Sequence, residues 1–281
     1  MEIIQKKLIE IIGKQRNSSL VGLLYSGGLD SSIIAKIMVS IMEPTSILLL
    51  SVGLSDSYDM KTATFGSKHL GINLHKYYLT EDEVMKAIRS LKQLNIIQHP
   101  VALSIAIPIF LGMQKIATDF DTKTIFLGQG ADELFGGYQK YAEIYKSKGG
   151  EDTRKIMNED LQSLQNDQVV RERKIAHHFG LDIIYPYLDP DIINRAKIYP
   201  ISTHIEQTSQ GELIRKALLR KLAQKIGLPL EITKQPKKAI QYGSGTTKLI
   251  RKIVKSSNCQ NISEWFRVYF QPDFSDYPET T

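Results

Sequence analysis

Cysteine is almost missing from this chain of 281 residues, which contains Cys259 alone. A single cysteine excludes an internal disulfide and any metal site built from several thiolates. No apolar run comes close to the roughly 20 residues that a membrane-spanning helix requires. The N-terminal segment mixes charged and apolar residues, unlike a signal peptide. We therefore expect a cytoplasmic protein that does not enter a membrane.

Long blocks of one charge are missing as well. The formal net charge is +6, but no five or six consecutive basic residues occur, and basic residues do not alternate with aromatic ones. This mild excess of positive charge suits an anionic small ligand, and nucleic-acid binding is not expected. Internal repeats and low-complexity tracts are also missing, and the 42% of hydrophobic residues is ordinary for a globular protein.

Short apolar segments alternate with stretches of helical periodicity in the first half of the chain. Strands are predicted at 20–25, 46–52, 74–79 and 124–128. Helices of ten or more residues between short apolar strands favour βαβ units. The sequence therefore predicts an α/β fold with a parallel sheet that carries helices on both faces.

The second half has a different character, because charged amphipathic stretches replace the strand candidates. We predict three parts: a nucleotide-binding α/β core at 1–140, a helical part at 141–270 that completes the active site, and a tail at 271–281. Glycine-rich segments follow the strands of the first part. In such sheets a ligand binds beyond the carboxyl ends of the strands.

The segment 26–32, Ser-Gly-Gly-Leu-Asp-Ser-Ser, follows the first strand and opens a helix. Gly27 and Gly28 allow a tight turn around an anion, and the start of the helix adds free amide groups. Asp30 can bind Mg²⁺. Three serines can donate hydroxyl groups to phosphate oxygens: Ser26, Ser31 and Ser32. No Gly-Lys-Ser/Thr follows, which excludes a Walker A loop; the remaining alternative is a Gly-Gly turn with helix-capping side chains.

This segment resembles the signature of the PP-loop ATP pyrophosphatases. The resemblance implies a parallel-sheet nucleotide fold and an enzyme that splits ATP into AMP and pyrophosphate. Members of that superfamily typically activate an oxygen of their substrate as an adenylate, which a nitrogen or sulfur nucleophile then attacks.

A second glycine-rich loop, 128–138, follows the fourth strand and carries the adjacent carboxylates of Asp132 and Glu133. Asp30 and Asp132 could share one Mg²⁺ between them. The loop resembles that of the asparagine synthetase family, including the β-lactam synthetases, and the resemblance extends over about 20–245. It implies that Asp30 and Asp132 bind Mg²⁺. It also implies that three residues frame the adenine of ATP: Leu24, Val52 and Gly128.

The second half contributes one further candidate. Lys237 follows Pro236 and precedes Gly-Ser-Gly at 243–245, which resembles the segment where β-lactam synthetases hold their active-site lysine. The resemblance implies that Lys237 stabilises the adenylate and pyrophosphate. The alternative interpretation is that Lys237 is simply a solvated lysine in a loop.

The chain departs from the family pattern in three places. Residue 2 is Glu2, and the phosphate loop begins too early for an N-terminal glutaminase domain, so the nitrogen is expected from free ammonia, a separate glutaminase subunit or a substrate amine. Gln129 stands where the family has glutamate or tyrosine; glutamine does not titrate, which leaves Glu133 as the candidate base. Arg173 and Lys174 replace an Asp-Arg pair, so the substrate surface is expected to be more basic.

Our leading hypothesis is an ATP- and Mg²⁺-dependent ligase that adenylates a carboxylate, aspartate by default, and joins it to ammonia or an amine. The candidate catalytic residues are Lys237, Glu133 and Gln129. The partners are small-molecule substrates, and a homo-oligomer is expected. Two alternatives stay open: a PP-loop enzyme that modifies RNA, which the single cysteine disfavours for thiolation, and a nucleotide-binding subunit without catalysis.

Overall fold

The computed structural model of the chain describes residues 1–235 and 238–270. Two predictions, the catalytic Lys237 and the tail at 271–281, lie outside these residues.

A parallel sheet of five strands forms the centre of the fold. Its strands are β1 (Val21–Leu24), β2 (Ile47–Gly53), β3 (Leu74–Tyr78), β4 (Thr124–Phe126) and β5 (Asp182–Ile184). The order is β3-β2-β1-β4-β5, and each neighbouring pair is parallel. The direction of strand order reverses between β1 and β4, which creates the crevice where ligands bind in open α/β sheets.

The apolar character of the central strands explains why they form the middle of the sheet. Val21, Leu23 and the leucines at 48–50 of β2 are almost inaccessible to solvent. A strand covered on both faces reads as a continuous apolar run instead of an alternating one. The edge strand β3, by contrast, carries partly exposed polar residues.

Sixteen helices occur in the described residues, and two groups of them cover the sheet. The helices are α1 (Glu2–Gly13), α2 (Leu29–Ile41), α3 (Tyr58–Leu70), α4 (Glu81–Gln93), α5 (Pro100–Asp119), α6 (Ala131–Phe135), α7 (Gln139–Lys148), α8 (Gly150–Ser163), α9 (Val169–His178), α10 (Pro190–Ile198), α11 (Ile201–His204), α12 (Ala217–Lys225), α13 (Leu230–Thr233), α14 (Ile240–Gly243), α15 (Thr246–Lys255) and α16 (Ile262–Phe270). One group packs around α2, with α1, α3 and α12; the other packs around α5, with α4, α9 and α15. The predicted α/β fold is confirmed.

Helix α5 is long and apolar enough to cross a membrane by length and composition, and 67% of its most apolar window is buried inside the fold. Its buried side chains include Leu103, Ile107 and Phe110, and it contacts β2 directly. The apolar length of α5 is therefore used in packing against the sheet.

Two features of the second half were not predicted. The strand β5 is a fifth strand beyond the four that the sequence predicts; it pairs with β4 and extends the sheet. An antiparallel hairpin, β6 (Ile205–Gln207) and β7 (Leu213–Arg215), lies within the part at 141–270 that is predicted to be helical. Each of these strands has three residues, which is too short for an alternating pattern to show in the sequence.

Candidate functional site

The loops that follow β1 and β4 meet at the reversal of strand order. A Cβ atom added at Gly128 would lie 3.5 Å from the Cβ of Asp30, so the two glycine-rich loops are in direct contact. A cavity opens beside them, and both halves of the chain line it. The basic residues that the second half contributes are Lys216, Arg220 and Lys238.

Most of the predicted site residues reach this cavity. Nine line it: Leu24, Ser26, Gly28, Asp30, Ser31, Gly128, Gln129, Asp132 and Glu133. Gly27, Ser32 and Val52 are not among its lining residues. Lys237 lies outside the described residues, although Gln235 and Lys238 on either side of it line the cavity.

The glycine-rich loop at 26–32 is held against helix α3. Gly27 has a φ of +72°, and a Cβ atom there would lie 2.3 Å from the backbone nitrogen of Ala63. Only glycine fits this position, because both the conformation and the close approach exclude a side chain. The hydroxyl of Thr62 donates to the carbonyl oxygen of Ser26 at 2.7 Å. The loop is thereby fixed with its following helix, α2, pointing its N-terminus at the cavity.

The hydroxyl of Ser32 is buried in a hydrogen bond and does not face the cavity. Its Oγ lies 3.0 Å from the hydroxyl of Tyr25, and both side chains are buried. Burial raises the pKa of Tyr25 to about 12, so this phenol stays neutral. Ser26 and Ser31 are therefore the hydroxyl groups of the loop that face the cavity.

A buried lysine stands between the two carboxylates predicted to bind metal. The Nζ of Lys216 lies 2.6 Å from Oδ2 of Asp30 and 2.7 Å from Oδ1 of Asp132. The lysine side chain is 5% exposed. Its backbone φ of 55° is unusual for a residue other than glycine, which indicates that the surrounding contacts hold it in place.

The same two carboxylates fit a magnesium ion. Both contact the single ammonium group of Lys216, so they lie close enough to share one cation. Within residues 1–235 and 238–270, no three His, Cys, Asp or Glu side chains group together as a metal site. Mg²⁺ commonly takes one or two carboxylates and completes its shell with substrate phosphates and water. Asp30 and Asp132 therefore suit a metal that arrives with a nucleotide.

Gly137 makes room for this charged cluster. A Cβ atom at Gly137 would lie 1.9 Å from Oδ1 of Asp132 and 2.4 Å from Cε of Lys216. Arg215, next to the lysine, donates from its guanidinium to the carbonyl oxygen of Gly137 at 2.7 Å. The second Gly-Gly pair of the loop at 128–138 is thus explained by the close approach of β7 and Lys216.

Gln129 contacts a carboxylate that sequence reasoning missed. Its Nε2 donates to Oε1 of Glu172 at 2.7 Å, and Gln168 donates to the same oxygen at 2.9 Å. Tyr185 donates to the other oxygen at 2.9 Å. Glu172 is 1% exposed, and burial raises the pKa of its carboxyl group although the three donors oppose that effect.

Glu133 has a different set of neighbours. Its Oε1 accepts a hydrogen bond of 2.6 Å from the hydroxyl of Tyr138. Burial, together with the charges of Glu133 and Asp132, raises the pKa of Tyr138. Both Glu133 and Tyr138 line the cavity.

The far side of the cavity combines helix α3 with the segment before α14. The ammonium of Lys238 lies 4.0 Å from the ring centre of Tyr58, a close cation–π contact. The N–H of Leu54 donates to the carbonyl oxygen of Ser244 at 2.8 Å. These contacts attach the second half to the loop after β2, so the cavity depends on both halves.

Sequence comparison identifies the family to which this arrangement belongs. The profile described as asparagine synthase matches residues 13–149 and 142–273. The chain belongs to the asparagine synthase family. This confirms the resemblance found in the two glycine-rich loops.

Named relatives show the same likeness. The chain is 29% identical over 276 residues to a putative glutamine-hydrolyzing asparagine synthetase of Methanocaldococcus jannaschii, covering 87% of this chain and 49% of the relative. It is 28% identical over 237 residues to the glutamine-hydrolyzing asparagine synthetase of Gallus gallus, covering 81% and 40%. The chain thus spans about half the length, or less, of these curated relatives.

Solved structures give distant likenesses. The NH3-dependent NAD synthetase from Campylobacter jejuni is 16% identical with a TM-score of 0.36, covering 70% of this chain and 91% of that chain. The U34-tRNA thiolase from Methanococcus maripaludis is 12% identical with a TM-score of 0.40, covering 96% and 78%. The fold assignment rests on the strand order and connections of the sheet itself.

Proposed function

We propose that this chain is an ATP-dependent ligase that adenylates a carboxylate and joins it to ammonia or an amine, with release of pyrophosphate and AMP. The observation that carries the proposal is the cavity at the reversal of strand order. There the N-terminus of α2, the cluster of Asp30, Asp132 and Lys216, and the loop after β4 face one space. Membership of the asparagine synthase family supports the same chemistry.

In the first step, a carboxylate oxygen of the substrate attacks the α-phosphorus of ATP, and the bond to pyrophosphate breaks. Free amide groups at the start of α2 and the hydroxyls of Ser26 and Ser31 are suited to bind the phosphates. Mg²⁺ bound by Asp30 and Asp132 would neutralise phosphate charge. Lys216 adds a fixed positive charge beside them, so charge that builds up on the leaving group is stabilised without reorganisation.

In the second step, the amine nitrogen attacks the acyl carbon of the adenylate. The carbon–nitrogen bond forms, the bond between the acyl carbon and the AMP oxygen breaks, and the nitrogen loses one proton to water. We propose that Lys237 stabilises the adenylate during both steps, as the family resemblance implies. Aspartate is the default carboxylate, which would make asparagine the product, and a separate glutaminase subunit is a candidate source of ammonia.

Pyrophosphate release provides the test. The protein is incubated with ATP, Mg²⁺ and a panel of carboxylates and amines that begins with aspartate and ammonia, and AMP and amide products are identified. The negative control is the Asp30→Ala variant, which lacks one of the two carboxylates that contact Lys216. Asparagine with equal amounts of AMP supports the full proposal, whereas AMP with another amide retains the chemistry and rejects aspartate. Tight ATP binding with no AMP for any pair would overturn it and favour a subunit without catalysis.

A further inference from the structure

Glu172 is a buried carboxylate that lies directly behind the wall of the cavity. It is 1% exposed and is not among the lining residues, whereas Gln129 and Gln168 both line the cavity. Each of these glutamines donates its side-chain N–H to Oε1 of Glu172, at 2.7 Å and 2.9 Å. One buried oxygen therefore holds two residues of the cavity wall.

The hydrogen bonds to Glu172 determine which end of each amide points backwards. Oε1 accepts from both side chains, so each glutamine turns its NH₂ group towards it. Tyr185 occupies the second carboxylate oxygen as a donor. The carbonyl oxygen of each amide then points away from Glu172. In the described part of the chain, neither carbonyl oxygen has a hydrogen-bond partner.

The local backbone contributes to this arrangement. Residues 164–168 form a π-helical turn between α8 and α9, and both ends of that turn, Leu164 and Gln168, line the cavity. Single π-helical turns are rare and occur frequently at functional sites, because the extra residue shifts the direction of the side chains that follow. Here the turn brings Gln168 beside Gln129, which comes from the loop after β4.

We propose that Glu172 is a positioning residue that turns the carbonyl oxygens of Gln129 and Gln168 towards the cavity, where both accept N–H hydrogen bonds from the amine that attacks the adenylate. The inference rests on the proposed function and names the binding site of its nucleophile. Two neutral acceptors select a group with at least two N–H bonds, which ammonia and primary amines have and tertiary amines lack. Only the free base of the amine has the lone pair that attacks the acyl carbon, so this is the form that reacts.

Kinetics of a conservative variant test the proposal. Glu172→Gln keeps the shape but replaces one acceptor oxygen with an NH₂ group, so we expect the two amides to lose their fixed orientation. We expect the KM for ammonia to rise about tenfold, as the loss of one neutral hydrogen bond implies, while the KM for ATP changes less than about twofold. Glu159→Gln, at an exposed position on α8, is the matched control and should change neither value. Equal increases in both KM values would indicate a general structural role and overturn the proposal.

A spectroscopic measurement separates this inference from the proposed function. The side-chain amide signals of Gln129 and Gln168 are assigned by NMR through their loss in Gln129→Leu and Gln168→Leu. Titration with ammonia at pH 9 should shift both signals in the unmodified protein and fewer than two in Glu172→Gln. If both shift but no substrate pair releases pyrophosphate, the proposed function fails and the binding site stands. If neither shifts, the binding site is rejected whatever the activity.

Gln168→Leu covers the case in which Glu172→Gln does not fold. It leaves the carboxylate and its bonds to Gln129 and Tyr185 in place and removes one acceptor from the cavity wall. We expect the same selective rise in the KM for ammonia. An unchanged KM in a folded Gln168→Leu protein would overturn the proposal.

Discussion

The ammonium of Lys216 lies 2.6 Å and 2.8 Å from the two carboxylate oxygens of Asp30, although 186 residues separate them in the chain. The hydroxyl of Tyr187, also from the second half, donates to the backbone oxygen of Asp30 at 3.0 Å. The phosphate loop is therefore neutralised and fixed by residues outside the first half. The buried side chains of Lys216 and Tyr187 therefore attach the second half of the chain to this loop.

Lys216→Met tests how far this cluster depends on its buried cation. The variant retains most of the side-chain volume, and Asp30 and Asp132 lose their shared counter-ion. We expect the free energy of unfolding to fall by about 3–5 kcal/mol, as for other broken buried ion pairs. Mg²⁺ should restore part of the loss if, as we propose, it binds the same carboxylates. Urea unfolding in EDTA and in Mg²⁺ gives both values.

Lys197→Met is the control, because Lys197 is exposed on α10. It should change the free energy of unfolding by no more than about 0.5 kcal/mol. A Lys216→Met protein whose stability is the same with and without Mg²⁺ would count against a metal at Asp30 and Asp132.

Gly137→Ala tests whether Asp132 and Lys216 require a residue without a side chain at position 137. The added methyl group would lie 1.9 Å from Oδ1 of Asp132, so Asp132 or Lys216 must move. We expect a loss of about 1–3 kcal/mol of stability, typical of overpacking, and pyrophosphate release at least tenfold slower. Gly13→Ala is the control, since its nearest neighbour would lie 3.8 Å away. A fully active Gly137→Ala enzyme would show that the position of Asp132 is not critical.

Local signals in the sequence account for the parts of the site that were predicted. The segment 26–32 combines glycines, hydroxyl groups and an aspartate between a strand and a helix, and the loop at 128–138 has the same position after another strand. Parallel strands bring such loops to one edge of the sheet. Asp30 and Asp132 could therefore be placed together without knowledge of the rest of the fold.

Lys216 and Glu172 lack any such local signal. Lys216 is one of 36 lysines and arginines, and its positive φ and burial depend on contacts with Asp30, Asp132 and Gly137. Glu172 belongs to a charged amphipathic helix, where a glutamate normally faces solvent. Its burial follows from the packing of α9 against α5, which periodicity alone does not reveal.

His204 makes the fold sensitive to acid. It is fully buried, and burial lowers the pKa of its imidazole to about 4, from 6.5. As the pH falls below 6.5 the unfolded chain takes up this proton first, so the fold loses stability between pH 6.5 and 4. The loss amounts to about 3 kcal/mol at the lower end.

Urea unfolding at pH 7 and pH 5 measures this effect. His204→Gln keeps an N–H donor for the carbonyl oxygen of Ala196, which His204 contacts at 3.0 Å. The variant should lose less stability on acidification than the unmodified protein. His177→Gln, at an exposed position on α9, is the control and should retain the full pH dependence. Equal losses in all three proteins would rule out His204 as the source.

Gln129→Glu tests why an amide occupies position 129. In the unmodified protein, Nε2 of Gln129 lies 2.7 Å from Oε1 of Glu172. The new carboxylate would therefore lie at hydrogen-bond distance from Glu172. Two buried carboxylates in contact do not both ionise readily, so the pKa of one must rise. The folded variant then retains a proton that the unfolded chain releases near pH 4.5, and its stability should fall as the pH rises. We expect it to be about 2 kcal/mol less stable than the unmodified protein at pH 8.

The exchange variant, Gln129→Glu with Glu172→Gln, restores one carboxylate and one amide to the pair. Tyr185 can still donate to the amide oxygen at position 172, and Arg171 remains paired with Asp167 at 2.8 Å. If the contact at 2.7 Å governs stability, the double variant should be more stable at pH 8 than the sum of the two single changes. A coupling of at least about 1 kcal/mol in the double-mutant cycle is expected for groups in direct contact. Additive changes would mean that Gln129 and Glu172 act independently, and the amide at position 129 would then need another explanation than the carboxylate behind it.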